Sequence, residues 1–191
     1  MSAGVARGGP PPSGDQATAR LGMVLFLASW AMMFGSLFFA YGVLRLRLTS
    51  WPPPGAPALP LAVPLLNTAV LVTSSLALER SLRLARRGLE PGAGQRWVLA
   101  AVGLGLVFVG LQAGLWWSLL REGLAWGRGT MAGVVYGLTV FHAAHVLVGL
   151  AGLGAVWGAA RPRLLPWGAW TTYWHFVSVV WLVMFLILFV L

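Results

Sequence analysis

The sequence has no cysteine, no lysine and only four acidic residues in 191. Without thiols there is no disulfide framework, no thiolate metal site and no dithiol redox motif, and sulfur chemistry carries no information about compartment. Charge of either sign is scarce: Asp, Glu, Lys and Arg make 9% of the chain, against about a quarter in soluble domains. Hydrophobic residues make 59%, which excludes a soluble domain and leaves the bilayer as solvent. The formal net charge of +9 comes from thirteen arginines that fall between apolar blocks instead of forming a run. That arrangement points to membrane orientation and away from nucleic acid.

What is present is long apolar sequence. A hydrocarbon core of about 30 Å needs roughly twenty residues of helix, and the backbone must satisfy its own hydrogen bonds there. Five blocks qualify, Leu21 to Leu44, Pro60 to Leu78, Trp97 to Leu120, Met131 to Trp157 and Trp170 to Leu191. The expected fold is all-α, a polytopic bundle of five transmembrane helices. Residues 1–19, rich in Pro and Gly, are expected to be a disordered cytoplasmic tail, and residues 20–191 the transmembrane domain. The first block is too long for a signal peptide and lacks a clear cleavage site, so it is read as a retained helix. The Trp51-Pro-Pro-Pro-Gly-Ala-Pro57 connector cannot propagate a helix. Pro64 should start or kink the second helix, and a start there would make it short.

Arg7, Arg20, Arg80, Arg83, Arg86, Arg87, Arg96, Arg161 and Arg163 fall on one side of this topology. Arg45, Arg47, Arg121 and Arg128 fall on the other. Nine against four predicts a cytoplasmic N-terminus and a C-terminus outside. Trp51, Trp97, Trp126, Trp157, Trp167 and Trp170 at block edges mark the interfaces.

Polar groups within the blocks are few, and each should face protein, water or a ligand. Asn67 and Ser74, seven apart, share a face suited to interhelical hydrogen bonds. Gly103, Gly110 and Gly114 line one stripe of the third block, beside Gln112, and suggest close helix packing. His142, His145, Gly149 and Gly152 recur at steps of three, four and three, so two imidazoles and two glycines share a face that must be buried. Trp174, His175 and Ser178 lie in the fifth block. Three histidines invite a haem or metal reading, but no thiolate or carboxylate completes a ligand set. None of Asp15, Glu79, Glu90 and Glu122 is expected inside a block, so neither a proton relay nor a carboxylate dyad is evident. Glu79 and Arg83, four apart, read as a modest surface pair. The residues describe a non-catalytic membrane subunit, with haem-carrying anchor and small transporter as other classes.

Several strings resemble the subunit III family of haem-copper terminal oxidases in its five-helix bacterial form. They are Gly22-Met-Val-Leu-Phe-Leu-Ala-Ser29 with Phe34-Gly-Ser-Leu-Phe-Phe-Ala-Tyr41, and then Pro64-Leu-Leu-Asn-Thr-Ala-Val-Leu71. Leu111-Gln-Ala113, Phe141-His-Ala-Ala-His-Val-Leu-Val-Gly149 and Tyr173-Trp-His-Phe-Val-Ser-Val-Val-Trp-Leu182 follow in the family's order. The resemblance implies an integral subunit of a respiratory oxidase in the bacterial inner membrane, C-terminus periplasmic, packed beside the catalytic subunit I and other oxidase subunits. It implies no catalytic, cofactor or metal site in this chain. Haem and copper would lie in subunit I, and structural phospholipids would bind this subunit. Asn67, Gln112, His142, His145, Trp174 and His175 become candidate intersubunit or lipid contacts, and Gly110, Gly114, Gly149 and Gly152 helix-packing positions. Where the family usually carries buried acids this chain has Trp30, Leu115 and Ser178, which removes their proton-handling role. A quinol oxidase or nitric oxide reductase partner stays open.

Overall fold

In the computed structural model, residues 14–48, 50, 57, 59–87, 91–127, 129–158 and 164–190 are described, and among them every regular element is helical. Five helices follow one another, α1 (Gly14–Arg47), α2 (Ala62–Arg86), α3 (Pro91–Arg121), α4 (Gly129–Gly158) and α5 (Leu164–Phe185). A π-helical turn, Leu186–Val190, continues α5. All five are long and apolar enough to cross a membrane. Residues 1–13, most of the tail, and Trp51 with most of its proline-rich connector lie outside the described residues, whereas α1 begins at Gly14.

The helices outrun the apolar blocks, because arginines continue a helix after its apolar run has stopped and carry their charge out to water on long stems. The second helix is the clearest case. Pro64 sits in its first turn, where the missing donor costs nothing, yet the helix is 25 residues long because it continues to Arg86. Its polar last third, past Leu78, is therefore helical, and Glu79 lies within it. At that end the Arg80 guanidinium lies 4.7 Å from the Trp97 ring centroid and ties α2 to α3.

The core is formed by α2 to α5. On α3, Val98, Ala101, Phe108, Leu115 and Leu119 face inward together with Gln112, at helical steps of three, four and seven. Leu78, Val146, Leu153, Trp174, Trp181 and Met184 complete it, each essentially inaccessible. By contrast, 6% of the apolar span of α1 is buried against 56% for α4. This first helix touches the bundle through Phe34 and Tyr41, and the Tyr41 hydroxyl donates to the Ile187 carbonyl at 3.2 Å. The turn from α3 to α4 uses Gly123 (φ 94°) and Gly127 (φ 76°), a left-handed backbone that favours glycine. It is fastened by the Tyr136 hydroxyl on the Leu124 carbonyl at 2.8 Å.

The expected glycine stripe of α3 does not pack within this chain. A Cβ added at Gly103, Gly110 or Gly114 would meet nothing within 4 Å, because the Phe108, Gln112 and Leu115 face turns inward and carries these glycines outward. Gly149 and Gly152 do pack. A Cβ at Gly149 would lie 2.8 Å from the Trp174 ring, and one at Gly152 would overlap the Trp170 ring. The seam between α4 and α5 is thus made by indole rings seated on glycine backbone. Gly105 of α3 receives the other edge of Trp174 in the same way, at 2.8 Å. Trp167, expected at an interface, is buried, its ring 2.8 Å from where a Gly94 Cβ would stand.

Candidate functional site

The polar side chains of the spans collect on α2, which carries Asn67, Thr68, Ser74, Ser75, Glu79 and Ser81. Asn67, Ser74 and Ser81, at steps of seven, face α3. Asn67 Nδ2 donates to Gln112 Oε1 at 3.1 Å, and the Ser74 and Ser81 hydroxyls donate to the Ala101 and Gly94 carbonyls at 2.8 and 2.9 Å. Thr68 and Ser75 face α5. Trp181 Nε1 donates to Thr68 Oγ1 at 3.0 Å, and Trp174 Nε1 reaches Ser74 Oγ at 3.1 Å. The second helix is thereby held to both neighbours by side-chain hydrogen bonds at several depths. In a medium without water such bonds are what polar groups must find.

These contacts correct four of the expected intersubunit or lipid contacts. Asn67, Gln112, His142 and Trp174 are each at most 1% exposed, enclosed by helices of this chain, and cannot reach another subunit or a lipid. Ser178 donates to the Trp174 carbonyl at 2.9 Å and is buried. Leu115 is part of the core.

The histidines occupy two different environments. His142 is ringed by Phe34, Phe108 and Trp181, with centroids 6.4, 5.9 and 5.4 Å away, and neither of its nitrogens finds a partner among the described residues. His145 lies against Trp30 at 4.2 Å, edge to face, and its Nδ1 lies 2.7 Å from the Phe141 carbonyl one turn earlier. So the Trp30 indole fills the space beside a histidine. Aromatic rings stand on three sides of His142 where the face of a porphyrin would lie, so the residues present do not fit a haem there. Among the described residues no three His, Cys, Asp or Glu side chains could hold a metal ion together.

His175 is different. It turns to α2, while its neighbour Tyr173 turns to α4 and donates to the His145 carbonyl at 3.1 Å. Ser75 Oγ is 2.5 Å from His175 Nδ1, and His175 Nε2 is 3.4 Å from Glu79 Oε2. Glu79 Oε1 is in turn 3.7 Å from Arg83 Nε. With α5 beginning at Leu164, His175 stands eleven residues in, about 16 Å along the axis. Glu79 was expected outside the blocks as a mere surface partner of Arg83. The signal that could have found it is the run Ser75, Glu79, Arg83 at steps of four, which keeps one helical face through the polar end of the block.

A family model described as cytochrome c oxidase subunit III matches residues 13–191. The chain belongs to that family. Among curated subunit III proteins, the cytochrome c oxidase subunit 3 of Thermostichus vulcanus is 34% identical over 90% of this chain and 86% of its own length. That of Synechocystis sp. is 33% identical over 89% of this chain and 74% of its own. A probable cytochrome c oxidase subunit 3 of Nocardia farcinica is 34% identical over 86% of this chain and 84% of its own. Membership of the subunit III family together with five spans makes this a multi-pass membrane protein.

Proposed function

We propose that this chain is the non-catalytic third subunit of a respiratory haem-copper oxidase of the cytochrome c oxidase type, packed against catalytic subunit I in a bacterial inner membrane. The observation that carries the reading is the family match over residues 13–191, with relatives of nearly the same length named as that subunit. The subunit is inserted with its N-terminus in the cytoplasm and its C-terminus in the periplasm. Support for that orientation is the excess of arginine on the side of α2's end and α5's start. Haem and copper belong to subunit I, and their redox chemistry is carried out there.

The chain's own part is that of a scaffold. Its hydrogen bonds close the α2 to α5 bundle, which leaves the sides of α1 and the glycine stripe of α3 as apolar surface for structural phospholipids and neighbouring subunits. In this role Gly110 and Gly114 are contacts to another molecule instead of internal packing positions.

The test is affinity purification of the tagged chain from native membranes in mild detergent. A haem-copper catalytic subunit should co-purify in stoichiometric amount, and the isolated chain should show no Soret band. Absence of that catalytic subunit, or a stoichiometric Soret band in the isolated chain, would overturn the assignment. Reporter fusions at both termini test the orientation, and a periplasmic N-terminus would refute it.

A further inference from the structure

The face of α2 turned away from both of its neighbours carries charge that the hydrogen-bonded seams do not use. Toward α3 the helix presents Asn67, Ser74 and Ser81, and toward α5 it presents Thr68, Ser75 and Glu79. Val72, Leu76, Arg80, Arg83 and Arg87 follow one another at steps of four, four, three and four, so they share the remaining face, and all five are exposed. One part of this stripe is aliphatic and the other is cationic. The change falls where the apolar run of the helix stops, and the seven residues from Arg80 to Arg87 rise about 10 Å, enough to cross a headgroup layer.

Two of the three guanidinium groups meet no anion within this chain. Glu79 is the only acid of α2 and α3, and Arg83 Nε lies 3.7 Å from its Oε1. Arg80 lies over the Trp97 ring, 4.7 Å from its centroid, and neither Arg80 nor Arg87 has an ion pair or side-chain hydrogen bond among the described residues. Stacking on an indole fixes the plane of a guanidinium and leaves its N–H edge open, and that edge matches the oxygens of a phosphate. Membrane orientation does not account for the arrangement. The positive-inside rule counts cations on each side and is indifferent to the helix face they occupy.

We propose that this stripe binds one anionic phospholipid, its phosphodiester held by Arg80 and Arg87 with Arg83 between them, and an acyl chain lying along Leu76 and Val72. Clustered cations directly beyond a membrane span are suited to such headgroups. A zwitterionic lipid fits less well. Its ammonium would stand among three guanidinium groups, and the Glu79 carboxylate that could receive it is engaged by Arg83 and by His175 Nε2, at 3.7 and 3.4 Å. A soluble anion would use the arginines but not the aliphatic surface next to them, where Leu76 is 63% exposed. The site goes beyond the scaffold reading, in which lipid meets α1 and the α3 stripe, and it requires only that the chain spans a membrane.

Photo-crosslinking tests it, with the full chain purified from native membranes together with its bound subunits. A benzophenone side chain in place of Leu76 reports what lies beside the arginines after reconstitution into vesicles of equal parts dioleoyl phosphatidylglycerol and dioleoyl phosphatidylcholine. Phosphatidylglycerol should be captured in preference by about fivefold or more, the effect of about one cation near an anionic lipid. Arg80→Gln combined with Arg87→Gln should bring the ratio close to one. Equal capture of the two lipids by the wild type would overturn the proposal, as would an undiminished preference in the double variant. Capture of a polypeptide in place of lipid would assign the face to a protein partner and refute the lipid site. Loss of the phosphatidylglycerol product on adding inorganic phosphate at matched ionic strength would refute it in favour of a soluble anion. If the double variant fails to assemble, the wild-type ratio in low and high salt decides: a fall in high salt supports the ionic headgroup site, and an unmoved ratio refutes it.

Discussion

The last helix meets its two main neighbours in opposite ways. Toward α4 it presents rings to bare backbone, Trp170 on Gly152 and Trp174 on Gly149, and the contact is one of shape. Toward α2 it presents donors to acceptors, Trp174 to Ser74 and Trp181 to Thr68, with His175 between Ser75 and Glu79. The shape seam tolerates no added volume, because an indole ring cannot bend away and interiors are close-packed. A hydrogen-bonded seam can lose a partner and keep its geometry. In membranes a single interhelical hydrogen bond contributes about 0.6 kcal/mol on average, whereas overpacking costs about 1–3 kcal/mol and sometimes more. The two faces of α5 should accordingly differ in how they fail.

The largest effect should come from breaking the shape seam. Gly152→Leu places its side chain where the Trp170 ring already stands, and the expected cost is about 3 kcal/mol, the upper end for overpacking. Unfolding in mixed detergent micelles reads this directly, and so does the amount of the subunit recovered with its complex. Gly110→Leu is the matching control. With nothing within 4 Å of its Cβ, it should leave unfolding of the isolated chain within about 0.5 kcal/mol of wild type. Loss of the subunit from the complex despite that unchanged stability would mark the α3 stripe as the surface that meets another molecule. Equal destabilisation by both leucines would remove the distinction between inward and outward glycines.

A middle-sized effect should come from the polar seam. Ser74→Ala removes the donor to the Ala101 carbonyl and the acceptor of Trp174 Nε1 together, so α3 and α5 each lose a tie to α2. The expected loss is about 1 kcal/mol, from two bonds of modest strength and one indole donor left unpaired. Unfolding curves should move less than for Gly152→Leu. A larger shift for Ser74→Ala would reverse the ranking of the two seams.

Much of this was legible in the sequence, and what was not has identifiable causes. Five apolar runs give five helices because a bilayer admits few other solutions. The heptad step from Asn67 to Ser74 correctly pointed to interhelical hydrogen bonds, since a polar side chain in hydrocarbon must find a partner. Periodicity shows which residues share a face but not which way the face turns. Gly110 and Gly114 share a stripe as surely as Gly149 and Gly152 do, yet only the second pair has rings above it. Hydropathy ended the second helix at Leu78 because it registers apolarity and not hydrogen bonding, and Glu79 was lost to the connector for that reason. The contact from Glu79 to His175 spans 96 residues and no local pattern encodes it.

The smallest effect should come from within the aromatic cage, and it separates a polar residue that bonds from one that does not. His142 is as deeply buried as Ser74, but its two nitrogens have no partner among the described residues, and its neighbours are the rings of Phe34, Phe108 and Trp181. Replacing a buried polar group that makes no hydrogen bond by an apolar one of similar volume removes a desolvation cost and no bond, so the balance should lie near zero. His142→Leu is expected to change unfolding stability by less than about 0.5 kcal/mol, less than Ser74→Ala although it alters far more atoms. Retention of the subunit in the complex and unaltered turnover would complete that outcome. A loss larger than that of Ser74→Ala would mean that the imidazole holds a water or another ligand inside the cage, and the cage would then be a second site instead of packing.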